Sequence, residues 1–122
     1  MAKILLAEDE KQIGDMVAFK LTNSGHQVLR ARDGEEALAL ATAERPELIL
    51  LDVMMPVLNG FEVLRRLKAD PVLSPIPVIM LTAKSRERDV LAGLSAGAVD
   101  YIVKPFSLKE LTARIDTALR KG

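Results

Sequence analysis

The chain has 122 residues, 49% hydrophobic and 28% charged, a balance that excludes disorder and supports one folded domain over residues 1–122. Seventeen basic and seventeen acidic residues cancel, so there is no bulk positive field for direct nucleic-acid binding. Cysteine is absent, which excludes disulfides and zinc–thiolate sites and suits a reducing cytoplasm, and no apolar run approaches the roughly 20 residues of a membrane span.

Lys3 to Ala7 reads as a buried strand that runs directly into Glu8-Asp9-Glu10. The opening MAKILLAEDE is too short in its apolar part for a signal peptide. From Lys11 to about Ser24, Ile13, Met16, Val17 and Leu21 recur at helical spacing, and Asn23-Ser24-Gly25 stops the helix. Gly14 inside that helix costs about 1 kcal/mol relative to Ala, which points to a close neighbour at its backbone. Gln27 to Ala31 is a short strand, Arg32-Asp33-Gly34 a turn, and Glu35 to Glu44 a helix that stops before Pro46. His26, the only histidine, follows the helix-ending glycine and reads as a surface residue.

The stretch LILLDVMMPVLNG, Leu48 to Gly60, is the most informative. Its unalternating apolar run predicts a strand buried on both faces, with Asp52 delivered to the sheet edge. Phe61 to about Ala69 is a third helix, ended by Asp70-Pro71. Val78 to Leu81 is a fourth strand leading to Thr82, and Arg86 to Ala96 a fourth helix ended by Gly97. Tyr101 to Val103 is a fifth strand leading to Lys104. Ser107, with Glu110 three residues on, forms a capping box that opens the last helix.

Strictly alternating strands and helices predict an α/β fold: a doubly wound, five-stranded parallel sheet between two helical layers, a flavodoxin-like (βα)5 sandwich of strand order 2-1-3-4-5. In such sheets ligands bind at the carboxyl ends of the strands. Here those ends bring together Glu8, Asp9, Asp52, Thr82 and Lys104. Three crowded carboxylates resist ionising without a cation, and an all-oxygen set suits Mg²⁺. A hydroxyl, a lysine and an ionised aspartate complete the parts for phosphoryl transfer, with the carboxylate as nucleophile. Glu10 reads instead as a charge favoured by the helix dipole. Met55 reads as core filler.

Four segments together resemble the receiver domains of two-component response regulators: LLAEDE, LILLDVMMPVLNG, VIMLTAK and GAVDYIVKPFS, each at a strand end and in the family's order. The resemblance covers nearly the whole chain. It implies a phosphoacceptor switch, with Asp52 taking a phosphoryl group from a sensor histidine kinase, a phosphotransfer protein or a small phosphodonor. Glu8, Asp9, Asp52 and the Met54 carbonyl would serve the Mg²⁺. Thr82 and the Ala83 N–H would bind phosphoryl oxygens, Lys104 would pair with another, and Lys104-Pro105 would be cis. Thr82 and Tyr101 would be the switch residues, reshaping the face of the fourth helix, fifth strand and last helix for a downstream protein or attached output domain. The family catalyses only its own phosphorylation and dephosphorylation. An aspartyl phosphatase of the DxD type is disfavoured because the second acidic position is Met54.

The tail IVKPFSLKELTARI is similar to receivers that precede a winged-helix DNA-binding domain. In that subfamily Asp100, Glu110 and Arg114 match charged positions of a dimer face, while Val90 and Ser95 depart from it. The expectation is a monomer, or a weak dimer through those residues on phosphorylation. The chain reads either as a single-domain regulator or as the receiver of a longer one.

Overall fold

A computed structural model describes residues 1–82 and 96–121. Five strands, β1 (Lys3–Ala7), β2 (Gln27–Ala31), β3 (Leu48–Asp52), β4 (Val78–Thr82) and β5 (Asp100–Val103), form one parallel sheet in the order β2-β1-β3-β4-β5. Helices α1 (Lys11–Asn23), α2 (Gly34–Glu44) and α3 (Gly60–Ala69) and a C-terminal helix (Leu108–Lys121) cover it. The doubly wound order expected from the sequence is therefore the order found. Nearly all of the predicted fourth helix lies outside the described residues, as do Ala83, Val90 and Ser95.

Every residue of β3 is buried, and its side chains divide between two cores. Ile49 and Leu51 pack with Ala37 and Ala41 of α2 and with Val63, Leu64 and Leu67 of α3. Leu48 and Leu50 pack with Val17 and Leu21 of α1 and with Leu111 and Ile115 of the C-terminal helix. This is the two-face burial that the unalternating run dictates, since successive strand residues point to opposite faces. A fully buried leucine is worth about 2 kcal/mol of transfer free energy, so β3 anchors both layers.

Local signals set the helix starts. Asp33 caps α2 by accepting the Glu36 N–H at 2.8 Å, and Asn59 caps α3 by accepting the Glu62 N–H at 3.0 Å. Ser107 Oγ accepts the Glu110 N–H at 3.0 Å, but the Glu110 carboxylate turns to Arg114, 3.3 Å away, so only one half of the expected box is used for capping.

Of three local expectations, two are revised and the one at Gly14 is met. Met16 is exposed, because the buried stripe of α1 runs through Gly14, Val17 and Leu21. Gly14 does have a close neighbour: a Cβ there would collide with the Arg30 guanidinium. His26 is half-buried, and its Nδ1 accepts the Ala2 N–H at 3.0 Å, tying the turn after α1 to the start of β1.

Candidate functional site

Parallel pairing places the strand ends side by side. Ala7 of β1 is level with Leu51 of β3, and Asp52 is level with Leu81 of β4. Glu8 and Asp9 thus leave the sheet next to Asp52, with Thr82 on the other side. Thr82 pairs with Val103 of β5, and its carbonyl accepts the Lys104 N–H, which brings Lys104 to the same rim.

The Lys104 ammonium is the hub. Its Nζ lies 2.8 Å from Glu8 Oε1, 3.1 Å from Asp52 Oδ2 and 3.5 Å from Glu10 Oε1. Glu8, Asp52, Thr82 and Lys104 are all buried, whereas Asp9 and Glu10 are exposed. Each carboxylate also holds a backbone N–H two residues on: Glu8 Oε2 accepts from Glu10 at 3.1 Å, and Asp52 Oδ1 from Met54 at 3.2 Å. These Asx-like turns fix both carboxyls in place. The Lys104-Pro105 peptide is cis, as the resemblance implies.

Electrostatics follow from the burial. Desolvation first, and then the neighbouring Glu8, push the Asp52 carboxyl up to about 6, against the pull of Lys104. Burial alone would lower Lys104, but the Glu8 and Asp52 carboxylates outweigh it and raise the ammonium above its usual range. Among the described residues one ammonium serves two buried carboxylates, so that set is short of positive charge.

One oxygen of each of Glu8, Asp9 and Asp52 lies within 4.8 Å of the others. Glu8 Oε1 is buried, and among the described residues its close partner is the Lys104 ammonium, 2.8 Å away. An all-oxygen donor set and an exposed Asp9 beside a buried Asp52 fit a hard divalent cation that keeps some of its water. They do not fit a soft metal.

The structure also places the loop after β3. A Cβ on Gly60 would collide with the Asp52 carbonyl, so glycine lets α3 start directly on the end of β3. Gly60 N–H donates to the Val53 carbonyl at 2.8 Å. Between them Val57, exposed, takes φ 72°, a left-handed conformation that a β-branched residue adopts only under strain. Met55 is buried as core filler, and the Met54 side chain is exposed.

Tyr101 on the edge strand β5 is buried, in the same core as Met80, its partner in register on β4. Asp100 and Glu110 both pair with Arg114 inside one chain, at 2.7 and 3.3 Å. Ala83 lies outside the described residues. Sequence reasoning missed Glu10's contact with Lys104: the two are 94 positions apart, and only the sheet order brings them together.

A parallel sheet with an acidic pocket and a lysine at its carboxyl edge defines a class. Residues 4–116 match the response regulator receiver domain, and the chain belongs to that family. It is 46% identical over 120 residues to the alkaline phosphatase synthesis transcriptional regulatory protein PhoP of Bacillus subtilis, covering 98% of this chain and 49% of that protein. It is also 46% identical over 118 residues to the phosphate regulon transcriptional regulatory protein PhoB of Pseudomonas aeruginosa, covering 97% and 52% respectively. The chain thus spans about half the length of these relatives, which are transcriptional regulators, in line with the subfamily its tail resembles. Among solved structures it is similar to the Francisella response regulator 1452 receiver domain (TM-score 0.93, 34% identity, 99% and 98% of the two chains). It is likewise similar to the chemotaxis response regulator CheY4 of Vibrio cholerae (TM-score 0.92, 35% identity, 97% and 98%). Among the described residues, no helix is long and apolar enough to cross a membrane.

Proposed function

We propose that this receiver accepts a phosphoryl group on Asp52 and passes the event on as a change of surface. An Asp52 oxygen attacks the phosphorus of the donor, forming the acyl phosphate as the bond to the leaving group breaks. The leaving group, a histidine ring nitrogen or an acetate oxygen, departs with the electron pair. The observation that supports this reading most is the convergence of Lys104 on Glu8 and Asp52, at 2.8 and 3.1 Å, in a buried pocket. Such a pocket pre-pays the positioning and charge neutralisation on which phosphoryl transfer depends.

Asp9, Asp52 and the Met54 carbonyl, with Glu8 behind them, would hold Mg²⁺, which when bound supplies positive charge to the phosphoryl oxygens. Thr82 and the Ala83 N–H bind phosphoryl oxygens, and Lys104 trades its Asp52 contact for another. Thr82 and the buried Tyr101 carry the change toward β5 and the C-terminal helix, a bistable element biased by a local charge. The donor is a sensor histidine kinase, a phosphotransfer protein or a small phosphodonor, and the recipient a downstream protein or attached output domain. The chain acts in the cytoplasm, binds no nucleic acid through this unit, and turns over no outside substrate. Because Asp100, Glu110 and Arg114 already pair in cis, a dimer through them exchanges equivalent contacts and stays weak.

Intact mass after incubation with acetyl phosphate, with and without Mg²⁺, tests the reading on wild type and Asp52→Asn. One added phosphoryl group, dependent on Mg²⁺ and lost in Asp52→Asn, is expected. Labelling that persists in Asp52→Asn overturns the assignment of the acceptor.

A further inference from the structure

Among the described residues Lys104 has three carboxylate neighbours, and they are not alike. The side chains of Glu8 and Asp52 are 0% and 4% exposed, while that of Glu10 is 60% exposed. Glu8 and Asp52 are fixed by the N–H groups they accept. Glu10 is fixed only through its backbone: its N–H donates to Glu8, and its carbonyl accepts the Gly14 N–H at 2.9 Å. At the N-cap of α1 its carboxylate has helix N–H groups within reach, yet it makes no capping hydrogen bond. It extends over the rim to Lys104 Nζ, 3.5 Å away. Of the three, Glu10 alone has a carboxylate in water, where it can turn away at little cost.

A phosphoryl group on Asp52 changes the balance at this ammonium. It places up to two negative charges where Lys104 must turn to meet them, with Glu10 still drawing on the same cation. We propose that Glu10 is a positioning residue that restrains phosphorylation, an outer counter-ion that competes with the phosphoryl group for Lys104. The inference rests on the phosphoacceptor reading above and adds a residue that sets its rate.

The test is a double-mutant cycle of Glu10→Gln and Lys104→Ala, reading initial rates of labelling by acetyl phosphate at saturating Mg²⁺ through intact mass. Glu10→Gln keeps the size and the N-cap backbone, so its melting temperature should match wild type. Its labelling should be roughly two- to fivefold faster, the scale of an exposed charge pair. In the Lys104→Ala background the same substitution should change the rate by less than about 1.5-fold, because the cation it competes for is gone. Labelling of Glu10→Gln at the wild-type rate overturns the inference. So does an equal gain in both backgrounds, which would mark simple repulsion of the donor. Wild type that fails to label at all defeats the phosphoacceptor reading instead, so the two failures are distinct.

Discussion

Lys104 Nζ stands closer to Glu8, at 2.8 Å, than to Asp52, at 3.1 Å. The lysine at the carboxyl edge is thus already a counter-ion, shared between two buried acids that lie at the ends of neighbouring strands. Among the described residues this one positive charge cannot neutralise both, and the shortfall shows in Asp52, whose carboxyl sits at about 6. The consequences of that deficit are measurable before any phosphoryl group is involved.

The first consequence concerns pH. Burial and Glu8 raise Asp52 in the folded protein, to about 6, while the unfolded chain holds an ordinary carboxyl near ~3.9. The native state therefore binds this proton more tightly. The stability it contributes is fully present below the unfolded value and is lost as pH rises through the folded one. Asp52→Asn removes the charge and keeps the shape. In EDTA it should raise the melting temperature at pH 8, by on the order of 5 °C, and by much less at pH 4. An equal shift at both pH values, or a loss at pH 8, contradicts the charge-deficit account.

A second consequence concerns the cation. Filling the deficit with Mg²⁺ stabilises only the native state, by about 2.7 kcal/mol when the ion exceeds its dissociation constant a hundredfold. A thermal-shift titration at pH 8 should show the melting temperature rising with Mg²⁺ and levelling off. Asp9→Asn should weaken the response, since Asp9 is the exposed member of the triad within 4.8 Å. A melt unchanged at about 10 mM Mg²⁺ rules out the pocket as a divalent site.

Much of this was legible in the sequence, and the reasons differ by element. β3 declared itself because a strand covered on both faces must be apolar at every position, and LILL admits no other face pattern. Asp52, Thr82 and Lys104 were legible because each follows such a run, where a parallel sheet puts its ligands. Met16 misled because helical spacing fits several stripes, and only packing shows that Gly14 takes the inner one. His26 misled because a residue after a helix-ending glycine looks solvated until the start of β1 is known to lie beside it. Glu10 was invisible as a partner of Lys104, because no local rule links positions at opposite ends of the chain.

Val57 supplies a third prediction. A β-branched residue at φ 72° pays steric strain of about 1–2 kcal/mol or more, and its exposed side chain loses little packing when removed. Val57→Gly relieves that strain, offset in part by the greater freedom of glycine in the unfolded chain. The net expected change is a gain of about 1 kcal/mol in denaturant unfolding. A net loss would show that the Val57 side chain holds the loop after Asp52 by contacts that outweigh the strain.

Gly60 supplies the opposite case, and it links the fold to the site. A Cβ there would meet the Asp52 carbonyl and lie 2.9 Å from the Val53 Cα, and neither is a flexible group that can step aside. The start of α3 must then back away from the end of β3, lengthening the 2.8 Å hydrogen bond from the Gly60 N–H to the Val53 carbonyl. Gly60→Ala should destabilise the protein by about 1–3 kcal/mol, the usual cost of overpacking, although alanine is the better helix former. Because the strain falls on the peptide that carries Asp52, labelling by acetyl phosphate should slow as well, by roughly tenfold for a shift of a few tenths of an ångström. Urea unfolding and intact-mass kinetics on the same sample separate the two effects. Wild-type stability in Gly60→Ala would show that the contact between α3 and β3 is looser than the structure places it, while lost stability with unchanged labelling would show that Asp52 is held by Met54 and Lys104 alone.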